Sequence, residues 1–203
     1  MKPEALIFDF GGVIFDWDPR YLYRKFFDGD TEAMERFLVE IDFFQWNLQQ
    51  DEGRPFAEAV SQLCERFPQY AELIRAYRER WEESIQGPIQ PTLDILSRLK
   101  RAGYPLYALS NWSAETYQLI RPRYDFFDWF DCILVSGEAR VAKPDPRIYT
   151  LFLEQIHRKA EECLFIDDSE SNVQAAQQLG FQVVRFESPA QLEAELRQIG
   201  LLQ

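Results

Sequence analysis

Six side chains suited to handling an anion stand just past apolar runs. Asp9 follows Ala5–Phe8, and Ser110 and Asn111 close Leu106–Leu109. Lys143 lies in the loop after Cys132–Val135, and Asp167 with Asp168 follows Cys163–Ile166. If the runs are parallel strands, all six gather where an open α/β sheet binds its ligands, at the carboxyl edge. Acids grouped without a histidine or cysteine cluster favour a hard cation such as Mg²⁺, and Asp9 and Asp168 are its natural ligands. A carboxylate can also attack a phosphoryl group and carry it as an aspartyl-phosphate until water cleaves it. Lys143, Ser110 and backbone N–H groups would then hold the phosphoryl oxygens, over which charge spreads in the transition state.

The elements needed to place these groups are legible. The four runs, and a fifth at Val183–Phe186, are apolar on both faces, as parallel strands covered by helices on either side must be. Helical period begins near Asp145 and again at Ser169, where Val173, Ala176 and Leu179 share a face before Gly180 stops it. The alternation predicts an α/β fold with a Rossmann-like parallel sheet. From Trp17 onward the rhythm changes. Met34, Phe37, Leu38, Ile41 and Leu48, then Phe56, Val60, Leu63 and Phe67, then Tyr70, Leu73, Ile74, Tyr77 and Trp81 repeat at helical spacing. No strand signal interrupts them until Gly87–Pro88 and Pro91 mark a return. The expected organisation is therefore a core of residues 1–16 and 88–203 with a helical insertion at 17–87.

Composition limits the partners. The 203 residues carry 22 Lys and Arg against 34 Asp and Glu, a formal net charge of −12, which opposes nucleic acid over the whole surface. Any anionic ligand must be met by local positive charge. With 46% hydrophobic residues the chain can bury a real core, so disorder is excluded. Cys64, Cys132 and Cys163 are odd in number and irregularly spaced, which argues against a disulfide framework or a zinc site. The first fifteen residues are apolar but broken by Asp9, and fit neither a signal peptide nor a membrane span. A cytoplasmic monomer or homodimer, binding neither nucleic acid nor membrane, is the expectation.

FDFGGVIFDWD (Phe8–Asp18), LSN (Leu109–Asn111), KPDPRIY (Lys143–Tyr149) and FIDDSESN (Phe165–Asn172) resemble, in order and spacing, the four signature motifs of the haloacid dehalogenase (HAD) superfamily. Within it the chain looks most like bacterial phosphatases of the α-D-glucose-1-phosphate phosphatase type. The resemblance implies a helical cap inserted after the first motif and a Mg²⁺-dependent phosphomonoesterase acting on a small phosphorylated metabolite, with a sugar phosphate as one candidate. It makes Asp9 nucleophile and metal ligand, Ser110 and Asn111 contacts to phosphate or substrate, and Lys143 the stabiliser of the intermediate. The metal set becomes Asp9, the Gly11 carbonyl, Asp167 and Asp168. Two other readings stay open: a 2-haloacid dehalogenase, against which the acid pair argues, and a non-catalytic binder of phosphate ligands.

The sequence departs from that pattern at Gly11, where most HAD phosphatases carry an aspartate serving as general acid/base. Asp16 and Asp18 are the nearest substitutes. Arg140 stands where relatives often have glycine, which alters the turn before Lys143 without moving the lysine out of register. Taken singly, Asp9 reads as a turn residue and Asp167–Asp168 as helix caps, and only the company of all four motifs outweighs that. His157 reads as a solvated helix-end residue. Trp17, Trp46 and Trp112 are candidates for either core or pocket wall.

Overall fold

The computed structural model describes residues 2–202. Strand β1 (Ala5–Phe8) leads to a short strand β2 (Phe15–Trp17) and five helices, α1 (Pro19–Tyr23), α2 (Thr31–Glu40), α3 (Phe43–Asp51), α4 (Phe56–Arg66) and α5 (Ala71–Glu79). After β3 (Ile85–Pro88) come α6 (Gln90–Arg101), β4 (Leu106–Ser110), α7 (Ala114–Ile120), β5 (Cys132–Val135), α8 (Ser136–Ala139) and α9 (Pro146–Ile156). The chain closes with β6 (Cys163–Asp167), α10 (Glu170–Gln178), β7 (Gln182–Arg185) and α11 (Pro189–Gln198). The main sheet has the order β5-β4-β1-β6-β7 and is parallel throughout.

Alternation along each strand explains why these runs are apolar throughout. Leu6, Phe8, Leu106, Ala108, Leu164 and Ile166 face a layer containing Leu96 and Leu99 of α6 and Leu192 and Leu196 of α11. Ala5, Ile7, Leu109, Cys163 and Phe165 point the other way, against Ile148 and Phe152 of α9 and Ala176 of α10. With both faces covered, every residue of β1, β4 and β6 is buried. The five predicted strands all form, within one residue of the expected ends. Asp145 caps α9 by accepting from the Arg147 N–H, and His157 ends that helix exposed to solvent. No helix among the described residues is long and apolar enough to cross a membrane.

The segment between β1 and α6 is helical as expected, but it also contains a two-stranded ribbon. β2 and β3 pair antiparallel, Phe15 opposite Pro88 and Trp17 opposite Ile85, at the two places where the chain leaves and rejoins the sheet. Three residues containing an aspartate, paired with a strand ending Gly-Pro, show no usable alternation; tertiary packing forms this ribbon. The apolar cluster on the α6 side continues without a break into the helical segment. Phe10 makes edge-on contacts with Phe15, Trp112, Phe127 and Phe130, and Trp112 packs on Trp81. Phe43, Trp46, Phe56 and Tyr77 belong to the same cluster.

Arg140 ends α8 at φ 56°, in the left-handed region where glycine costs least. Arg140→Gly should therefore stabilise the chain by about 0.5–1 kcal/mol, read as a higher urea midpoint with an unchanged slope. A lower midpoint would mean that packing of the Arg140 side chain beside Gly53 outweighs the backbone term.

Candidate active site

The last residues of the strands deliver the site. Lys143 is fully buried, and its ammonium donates to the Leu109 carbonyl at 2.8 Å while lying 3.1 Å from Asp9 Oδ1 and 2.5 Å from Asp167 Oδ2. The ammonium is thus hydrogen-bonded to the Leu109 carbonyl and Asp167 and ion-paired with Asp9. Asp167 is further held by the Ser169 N–H at 2.9 Å and by Asn172 Nδ2 at 3.0 Å. The Asn172 carbonyl in turn accepts from Tyr149 at 2.9 Å. Asp9, Asp167 and Asp168 each place a carboxylate oxygen within 4.8 Å of the others, with Asp168 on the solvent side.

Asn111, expected to contact phosphate or substrate, also holds the lysine in place. Its Nδ2 donates to the Lys143 carbonyl at 2.8 Å and its Oδ1 accepts from the Lys143 N–H at 2.8 Å. Each end of the amide bonds the lysine's backbone, so Asn111 positions Lys143. Ser110 is buried, and its hydroxyl has no hydrogen-bond partner. An unpaired buried hydroxyl is costly, and a ligand oxygen would satisfy it. Gly12 at φ +71° is a functional residue the sequence reading passed over: a Cβ there would collide with the Asp168 carboxylate. Its only sequence signal is the second glycine of a pair behind the strand-end aspartate.

Charge at the site is out of balance. Three carboxylates face one ammonium, leaving two negative charges uncompensated, which is the charge of one divalent cation. Burial first, then the charges of Asp167 and Asp168, push Asp9 up to about 7 despite Lys143. Burial alone would lower Lys143, but Asp167 and Asp9 hold it above its ordinary value. Partial desolvation and the Asp167 charge also raise Asp168. The donor set is all oxygen, so a hard cation suits it. Asp9 and Asp168 have the freest oxygens for one, whereas Asp167 is largely engaged with Lys143, Asn172 and Ser169.

Beside this cluster lies a cavity enclosing about 460 Å³, part of it open to solvent. Its wall includes Gly11, Trp17, Tyr77, Trp81 and Trp112, with Asn47, Asp51, Asn111 and Ser113 among its polar members. Trp17 and Trp112 thus line the pocket, but Trp46 does not. It is buried among α3, α4 and α5, with its indole N–H on the Ala59 carbonyl at 3.3 Å. Asp16 and Asp18 are also turned elsewhere: Asp16 accepts from Tyr21 at 2.8 Å, and Asp18 caps α1 through the Arg20 N–H at 2.8 Å. The carboxylate that does reach the cavity from the helical segment is Asp51, the last residue of α3. Burial first, with the Asp9 and Glu52 charges adding and the Ser113 backbone amide opposing, pushes it up to about 8.

A family model for haloacid dehalogenase-like hydrolases matches residues 3–180, and the chain belongs to that family. It is 29% identical, over 97% of its length and 96% of the relative's, to the sesquiterpene phosphatase astK of Aspergillus oryzae. It is 26% identical to the D-ribitol-5-phosphate phosphatase of Bacteroides thetaiotaomicron, across 95% of this chain and 96% of that one. Among solved structures, a HAD-family enzyme of B. thetaiotaomicron in complex with magnesium and inorganic phosphate superposes with a TM-score of 0.70 at 27% identity, covering 94% of this chain and 98% of that one.

The raised carboxyls have a thermodynamic consequence. Asp9 and Asp51 hold their protons more tightly folded than unfolded, so their contribution to stability is complete below the ordinary carboxylate range. It is lost as pH rises through about 7 for Asp9 and about 8 for Asp51. In EDTA the melting temperature should fall between about pH 5 and about pH 8.5. A flat or rising curve over that window would contradict the assigned environments.

Proposed function

We propose that the chain is a Mg²⁺-dependent phosphomonoesterase that cleaves a small organic phosphate through an aspartyl-phosphate on Asp9. The observation that carries this reading is the Lys143 ammonium, buried 3.1 Å from Asp9 with the unpartnered Ser110 hydroxyl in the same site. The phosphatase names of the two relatives, and the magnesium and phosphate bound by the structural neighbour, support it.

Asp9 Oδ attacks phosphorus while Lys143 and Ser110 hold phosphoryl oxygens that gain charge in the transition state. Asp167 keeps Lys143 charged and aimed, and Asn111 fixes its backbone. Asp9, Asp168 and the Gly11 carbonyl would hold Mg²⁺, with Asp167 behind them, and the ion would offset the repulsion between this acidic cluster and a phosphate dianion. Residues 17–87 act as the cap, closing a water-poor chamber over the phosphate and selecting the leaving group. The aromatic wall suits a leaving group with a continuous C–H face, such as a sugar ring or an isoprenyl chain, over a small charged acid.

A panel of phosphate esters assayed with and without EDTA tests the reading. Hydrolysis should require Mg²⁺, and Asp9→Asn should lower kcat by at least about 10³-fold. Activity on 2-haloacids that survives EDTA, or equal turnover by Asp9→Asn, would contradict it. Gly12→Ala, by displacing the Asp168 carboxylate, should raise the Mg²⁺ concentration giving half-maximal activity by about tenfold or more, and an unchanged value would remove Asp168 from the metal set.

A further inference from the structure

A phosphate ester with an alkyl leaving group needs a proton delivered to its bridging oxygen, because an alkoxide is a poor leaving group. The strand-end acids are poorly placed to deliver one. Asp9 is the attacking group, Asp167 is occupied by Lys143, Asn172 and Ser169, and Asp168 sits on the metal side. Gly11 has no side chain, and Asp16 and Asp18 are bonded away from the cavity. The remaining carboxyl on the cavity wall is Asp51.

Asp51 is held in a defined orientation. The Trp81 indole N–H, which can only donate, reaches the Tyr77 oxygen at 3.2 Å, leaving the Tyr77 proton for Asn47 Oδ1 at 2.9 Å. That fixes the Asn47 amide, so its Nδ2 faces Asp51 Oδ2 and donates to it at 3.0 Å. Oδ2 is thereby an acceptor, and the Ser113 N–H is the second donor that faces this carboxyl. The backbone is fixed as well. Directly after α3 the chain turns at Gly53, φ +94°, where a Cβ would lie 3.0 Å from the Gly137 carbonyl of α8. The end of α3 is therefore packed against the core beside the strand ends.

We propose that Asp51 is the general acid and base of the reaction, supplied by the helical segment in place of the side chain missing at Gly11. This rests on the phosphatase reading above. As Asp9 Oδ bonds to phosphorus and the P–O bond to the leaving group breaks, the Asp51 carboxyl gives its proton to the departing oxygen, which leaves as neutral alcohol. The Asp51 carboxylate then takes a proton from water as that water's oxygen attacks phosphorus. The bond from phosphorus to Asp9 breaks, phosphate departs, and Asp51 is protonated again. An acid that must start protonated near neutral pH is consistent with the raised Asp51 carboxyl. Titratable or charged groups around it are Asp9 at the end of β1, Glu52 beside it, Tyr77 of α5 through Asn47, and Arg140 after α8 at the Gly53 turn.

Single-turnover release of alcohol, measured at saturating Mg²⁺ for wild type and the isosteric Asp51→Asn, tests this with butyl phosphate and p-nitrophenyl phosphate. Asp51→Asn should slow butanol release about 10²-fold or more, and nitrophenol release at least about ten times less than that, since nitrophenolate leaves unaided. Wild-type butanol release should decline above about pH 8, and that decline should be absent in the variant. Equal losses for both esters, a change in KM alone, or no change would overturn the assignment. Wild-type rates across a series of aryl and alkyl esters give a check without any variant: a shallow dependence on leaving-group basicity is expected, and a steep one would mean that no proton is delivered. Wild type inert on every phosphate would remove the phosphatase reading and this role together. An active wild type with leaving-group-independent loss in Asp51→Asn would remove the Asp51 role alone.

Discussion

The ammonium of Lys143, buried between the carboxylates of Asp9 and Asp167, is the interaction on which the rest of the structure depends. A charge fully withdrawn from water survives only if paired and hydrogen-bonded on all sides, and removing one partner of such a group typically costs about 3–5 kcal/mol. Here two carboxylates pair the charge, and Asp167 and the Leu109 carbonyl accept its hydrogen bonds. The arrangement also sets the chemistry. Asp167 anchors the lysine, so that its charge can be turned toward whatever Asp9 binds, in a molecule whose net charge of −12 repels anions everywhere else.

The fold meets the demands of that group. Parallel strands β4, β1 and β6 lie side by side, so their ends place Ser110, Asp9 and Asp167 in one row. Lys143 comes from a loop, and Asn111 grips its backbone at both the N–H and the carbonyl. The helical segment shares the apolar cluster of the sheet and is tied to it across Glu115, which accepts from the Phe56 N–H at 2.8 Å. Continuous packing from sheet to insertion allows a carboxyl on α3 to be held in fixed relation to Asp9 at the end of β1.

Much of this was legible in the sequence because burial on both faces forces strands such as Ala5–Phe8 and Cys163–Asp167 to be apolar throughout, which makes the first polar residue after each run conspicuous. Asp9, Ser110 and Asp167 stand out in this way and Asp168 follows directly, whereas Lys143 lies well beyond the end of β5 and is marked only by the KPDP run around it. What could not be read was set by contacts between distant segments. The grip of Asn111 on Lys143 was invisible because its partner lies 32 residues away in the sequence. Asp51 sat unremarked among Gln and Glu at a helix end, and only the docking of α3 on α8 turns it inward. Trp46 and Trp17 have the same composition signal and opposite fates, one in the core of the helices and one on the cavity wall.

The most direct test of the central claim is to quench the turning-over enzyme in acid and map the phosphoryl group by peptide mass spectrometry. The buried pairing of Lys143 with Asp9 predicts an acyl-phosphate on the peptide carrying Asp9, absent when Asp9→Asn is treated identically. Active enzyme that shows a phosphoryl group on any other residue, or a burst of product with no phosphorylated peptide, would contradict it.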